Sequence, residues 1–177
     1  MYKNRHIQDQ LAELTNFFKI ILITGARQTG KTTLLKHLLP NAPLITLDPH
    51  QDPHGAKANP DEFLASLTRP AIIDEVQFAP ALLSSMKRLV DQSDQRGQFF
   101  LTGSQNLSIL PQMKESMGGR VGIINLPHLS LQEATDTTKE SWLPAYLANP
   151  DTIAQQITKT ISALGIYDAV WRGNLPE

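Results

Sequence analysis

Nine residues, Gly25-Ala26-Arg27-Gln28-Thr29-Gly30-Lys31-Thr32-Thr33, follow the apolar run KIILIT and lead into the helical pattern LLKHLL. They satisfy the pattern G-x-x-x-x-G-K-[ST]. Glycines at this spacing let the backbone curl until its N–H groups converge on phosphate oxygens, and a helix beginning behind them adds its dipole. Lys31 is then placed to reach β- and γ-phosphates, and the Thr32 hydroxyl to ligate Mg²⁺. Arg27 is open to two roles, a phosphate contact or a side chain turned to solvent.

Three further groups extend that chemistry. In AIIDE an apolar run ends on Asp74 and Glu75. Asp74 is the second Mg²⁺ ligand, through the ion's water shell, and Glu75 is placed to orient and polarise an attacking water. In LTGSQN, Ser104, or with less support Asn106, can hydrogen-bond a γ-phosphate or that water, the alternative being a helix cap. In GGR, Arg120 precedes the last apolar run. Inserted at a neighbour's γ-phosphate, it would speed hydrolysis by roughly 10³–10⁵. As a surface ion pair it would contribute at most about 1 kcal/mol.

The elements that must carry these groups are legible as alternation. KIILIT (19–24), PLITL (43–47), PAIID (70–74), QFFLT (98–102) and VGIINL (121–126) read as five strands, apolar on both faces as buried parallel strands are. KTTLLKHLL, PDEFLASL, PALLSSMKRLVDQ and LSILPQMKESMGG read as helices between them. Asn59-Pro60-Asp61-Glu62 supplies a cap, an N1 proline and first-turn acids. Ala79-Pro80 begins the next helix, and Gly118-Gly119 can end the fourth. The expectation is an α/β fold of three layers around a parallel sheet. Residues 48–60, rich in Pro, Gly, His and Asn, form a loop. His50 and His54 lie within it, but no third ligand has a suitable spacing for a metal. Beyond Leu126 a helix starts at Ser130-Leu131-Gln132-Glu133, and an amphipathic segment follows near 140–163.

The bulk composition sets limits. The 177 residues allow one domain of ordinary size, and 41% hydrophobic against 19% charged residues exclude a disordered chain. A net charge of -1 gives no polybasic signature for nucleic acid or membrane. With no cysteine there is neither disulfide nor thiolate chemistry. No signal core or membrane-spanning run is present, and the cytoplasm is the expected location. Trp142, Tyr146, Tyr167 and Trp171 are read as packing or interface aromatics, since basic residues do not interleave with most of them.

LITGARQTGKTTLL, IIDEVQFAPALL, FFLTGSQNLSIL, ESMGGRV and LPHLSLQE, taken in order, resemble the AAA_14 family of bacterial and archaeal AAA-type ATPases. The resemblance covers most of residues 1–135. It implies an ASCE-type P-loop ATPase of strand order 5-1-4-3-2, with ATP and Mg²⁺ as cofactors, Glu75 on the DEVQ strand as the catalytic glutamate and Ser104 as a sensor. Gln77 matches the glutamine of that motif. Members usually carry a C-terminal domain of unknown function, DUF4143, and run to about twice this length. WRGNLPE resembles the start of that second region, with Asn174 where a glycine is usual. The expected organisation is therefore an ATP-binding core over 1–128 and a mostly helical tail over 129–177, the beginning of a truncated C-terminal region.

Three activities compete. The first is Mg²⁺-dependent ATP hydrolysis driving a conformational switch, with a homo-oligomer supplying Arg120 in trans or a protein partner supplying the missing C-terminal function. The second is a nucleotide-dependent interaction module without turnover. The third is a small-molecule kinase, disfavoured because Arg88, Arg96 and Arg120 form no lid cluster and a water-directing glutamate works against phosphoryl transfer to an acceptor.

Overall fold

The computed structural model of the protein describes residues 2–104 and 110–134 together with position 147. Asn106, Trp142, Tyr146, Tyr167, Trp171 and nearly all of the segment 140–163 lie outside the described residues. The chain divides into two compact units, one of residues 7–127 and one of residues 1–6 with 128–177.

In the larger unit, α1 (Ile7–Phe17) precedes β1 (Ile20–Gly25), and α2 (Lys31–Leu38) leads to β2 (Leu44–Thr46). Next come α3 (Pro60–Ser66), β3 (Ala71–Asp74), a 3₁₀ turn (Val76–Phe78) and α4 (Leu82–Asp91). β4 (Phe99–Ser104), α5 (Leu110–Ser116) and β5 (Val121–Asn125) complete it. The five strands make one parallel sheet of order β2-β3-β4-β1-β5, the order that the resemblance implies.

All five expected strands are present, within two residues at each end. The interior position of β1, between β4 and β5, explains its composition: every residue from Ile20 to Gly25 is buried. Ile20 and Leu22 join the main core cluster with Leu64, Ile73, Leu82, Met86, Phe99 and Leu101. Each such side chain contributes about 1.5–3 kcal/mol by leaving water.

Three local details differ from the expectation. α1 was not foreseen, although Ile7, Leu11 and Leu14 have helical spacing and Leu11 is buried. α4 starts at Leu82 rather than at Pro80, because the 3₁₀ turn occupies 76–78 and the chain must turn again before the helix begins. Asn59 stands at the N-cap of α3 without a side-chain cap bond, so Pro60 at N1 carries the start of that helix.

In the smaller unit, α6 (Leu131–Ala134) begins where Ser130-Leu131-Gln132-Glu133 places it, with a reciprocal cap. Ser130 N–H donates to Glu133 Oε2 at 2.7 Å, and Glu133 N–H donates to Ser130 Oγ at 3.2 Å. Glu133 Oε1 also accepts from Arg5 Nε at 3.2 Å and from His6 N–H at 2.7 Å. Burial pushes the Glu133 carboxyl up, but the Ser130 and His6 N–H groups and the Arg5 guanidinium outweigh it and hold the group below its usual range.

Candidate functional site

The strand order decides where ligands can sit. The chain leaves β1 for the far edge of the sheet, returns through β3 and β4, and then crosses to β5 on the other side of β1. Crevices in such sheets open at the carboxyl ends of the strands near this reversal. The loop after β1 and the acidic pair after β3 therefore stand on either side of the end of β4.

The loop is built as its residue types demand. Gly30 caps α2 at φ 85°, left-handed backbone that glycine adopts without steric cost, and its carbonyl accepts the Leu34 N–H at 2.8 Å. Gly25 is required for a different reason. A Cβ there would lie 2.5 Å from Leu126 O, which belongs to the chain leaving β5. Thr29 is fully buried, and its hydroxyl donates to Ala26 O at 3.0 Å. Lys31 is only 7% exposed, with Nζ donating to Gly25 O at 3.1 Å and to Ala26 O at 2.7 Å. Burial pushes the Lys31 ammonium below its ordinary value, and the nearby Glu75 and Asp74 carboxylates restore part of that shift.

Across the end of β4, Thr32 Oγ1 donates to Asp74 Oδ1 at 2.9 Å. The same carboxylate oxygen accepts a short hydrogen bond from Thr102 Oγ1, which in turn accepts the Glu75 N–H at 3.2 Å. Glu75 stands in left-handed backbone, φ 59° and ψ 47°, and Gln77 Nε2 donates a short hydrogen bond to its Oε2. Arg27, Gln28, Gly30, Lys31, Thr32, Thr33, Glu75 and Phe78 line a cleft of about 370 Å³. Arg27 is exposed on that lining. Ser104 ends β4 in register with Gly25, beside the loop.

Arg120 is elsewhere. Its carbonyl accepts the N–H groups of Lys19 and Ile20, at the amino end of β1, so it lies at the opposite end of that strand from the loop. Its guanidinium binds both carboxylate oxygens of Asp91, at 2.5 and 3.0 Å, and donates to Gly118 O at 3.1 Å. Within one chain it does not reach the cleft.

Thr102 escaped the sequence reading. It is fully buried on β4, and a buried hydroxyl must find partners. That was the available signal. His50 and His54 are both exposed, and among the described residues no group of three His, Cys, Asp or Glu could hold a metal. No helix among the described residues is long and apolar enough to cross a membrane.

A parallel sheet with a glycine-lysine-threonine loop between an interior strand and the following helix defines a P-loop nucleotide-binding domain. Residues 17–135 match the AAA_14 family model, an AAA domain, and the chain belongs to that family. It is accordingly a nucleotide-binding domain of ATPase type. Over 126 residues, 70% of the chain, it is 31% identical to the uncharacterized protein Rv2008c of Mycobacterium tuberculosis and, equally, to the uncharacterized protein Mb2031c of Mycobacterium bovis. The matched part is 29% of the length of each. Among solved structures, a signal-transduction ATPase with a tetratricopeptide repeat sensor from Pyrococcus horikoshii is similar over 86% of this chain and 28% of its own, at 15% identity and a TM-score of 0.49. The AAA domain of FIGL-1, solved with ADP, is similar over 76% of this chain and 56% of its own, at 13% identity and the same TM-score.

Proposed function

We propose that this domain binds ATP with Mg²⁺ and hydrolyses it, and that the two nucleotide states switch its conformation. One observation carries the reading: the loop residues and Glu75 line a single cleft, and Asp74 and Thr102 are hydrogen-bonded to that lining, although the sequence scatters them over nearly eighty positions.

In this reading the N–H groups of the loop and the Lys31 ammonium bind the β- and γ-phosphates. Thr32 and Asp74 hold the metal. Their oxygens already converge on each other at 2.9 Å, and one hydroxyl with one carboxylate suits Mg²⁺, which keeps waters and takes phosphate oxygens for its remaining positions. When bound, the ion neutralises charge on the phosphates. Glu75 orients and polarises the attacking water, and Ser104 senses the γ-phosphate from the end of β4. In this reading Arg120, which lies away from the cleft of its own chain, would act on the nucleotide of a second copy. Arg88, which a kinase reading would recruit, is engaged with Asp61 at 2.7 Å and does not line the cleft.

Steady-state ATP hydrolysis by the parent, Lys31→Ala and Glu75→Gln tests this reading. The expected result is turnover in the parent, loss of ATP binding in Lys31→Ala, and retained binding without turnover in Glu75→Gln. A parent that binds ATP but never hydrolyses it would make the domain a nucleotide-dependent interaction module instead.

A further inference from the structure

We infer that Gln77 is a positioning residue whose side-chain amide holds the Glu75 carboxylate ready for its task. The inference rests on the hydrolytic reading above, which gives Glu75 that task.

Glu75 stands in left-handed backbone, which a non-glycine residue adopts only against steric strain. The 3₁₀ turn that follows brings position 77 back over position 75, and Gln77 Nε2 donates to Glu75 Oε2. Gln77 Oε1 is buried and meets no hydrogen-bond donor among the described residues. Turning the amide over would set Oε1 against the Glu75 carboxylate oxygens, two acceptors face to face. The amide thus keeps the orientation in which its N–H group serves Glu75. Glu75 is held twice as a result, by Thr102 at its N–H and by Gln77 at Oε2, while the side chain still lines the cleft. A base held in this way enters the reaction with its orientation already fixed.

The test substitutes Gln77→Met, of similar length but without a donor, and measures kcat, KM and ATP affinity beside the parent. Removing the positioning is expected to lower kcat by about tenfold to 100-fold, part of the 10²–10⁴ that a placed base supplies, with KM and ATP affinity within about twofold. An unchanged kcat, or equal losses in kcat and affinity, overturns the proposal. A second readout needs no turnover. The Gln77 side-chain amide resonances, assigned by their disappearance in Gln77→Met, are expected to shift in Glu75→Ala and to leave those of Gln95 and Gln98 in place. Indifference of the Gln77 amide to Glu75→Ala overturns the proposal even in an active enzyme. If the parent hydrolyses nothing, the hydrolytic reading falls, and the amide shift still decides whether Gln77 holds Glu75.

Discussion

Thr32 and Asp74 meet at 2.9 Å across 42 positions of chain, the hydroxyl oxygen of one donating its hydrogen to a carboxylate oxygen of the other. The bond joins the first turn of α2 to the end of β3 over the carboxyl end of β4, the strand that separates β3 from β1. Thr102, beneath them on β4, completes the connection by donating to the same oxygen and accepting the Glu75 N–H.

Thr102→Val keeps the shape of the side chain and removes both bonds. The Glu75 N–H loses its acceptor and Asp74 loses a donor, beside a Thr102 side chain that is itself fully buried. The expected destabilisation is about 1–3 kcal/mol, read from denaturant unfolding, together with weaker binding of Mg²⁺-ATP. An unfolding midpoint equal to the parent's would remove Thr102 from this network.

Gly25→Ala tests the close approach of β1 to the chain leaving β5. The added Cβ meets Leu126 O at 2.5 Å, and that backbone is held by the Leu126 N–H bond to Thr24 O at 2.7 Å. Overpacking of this kind costs about 1–3 kcal/mol, and here the displaced backbone is the start of the phosphate loop. Both the thermal midpoint and ATP affinity are expected to fall. A loss confined to stability would mean that the loop tolerates the shift.

Arg120 yields a prediction about assembly. If it serves a second copy, Arg120→Ala keeps ATP affinity and loses turnover by up to roughly 10³–10⁵. Mixing it with Lys31→Ala, which retains the arginine but not the nucleotide site, restores part of the rate. Failure of every mixture to recover activity, with the parent active, leaves Arg120 as the partner of Asp91 alone.

Glu133 governs a pH effect in the smaller unit. Its carboxyl is held below the ordinary value, so the folded state binds the proton more weakly than the unfolded one. The stabilisation is therefore complete above the ordinary carboxylate range and disappears as pH falls through the lowered folded value. Thermal midpoints of the parent and Glu133→Gln should differ most near neutrality and converge in acid. A gap independent of pH would assign the effect to packing.

The readable part of the fold was the part dictated by local chemistry. The strands announced themselves as apolar runs, most fully in β1, which is buried along its whole length, and Pro60 and Ser130 marked helix starts through their own backbone preferences. α1 was missed because its buried stripe is narrow, with Leu11 its one fully buried residue. Thr102 was missed because a single hydroxyl on β4 gives no hint of which partners it will meet.

By itself the sequence determined the phosphate loop, since Gly25, Gly30, Lys31 and Thr32 act through a backbone shape that neighbouring residues set. It also determined that strands and helices alternate. Only the tertiary structure decided that Glu75 lines that loop's cleft, with Asp74 and Thr102 hydrogen-bonded to the lining, while Arg120 stands at the opposite, amino end of β1. The reason is topological. The order β2-β3-β4-β1-β5 places the carboxyl ends of β1, β3 and β4 side by side, and distance along the chain carries no record of it.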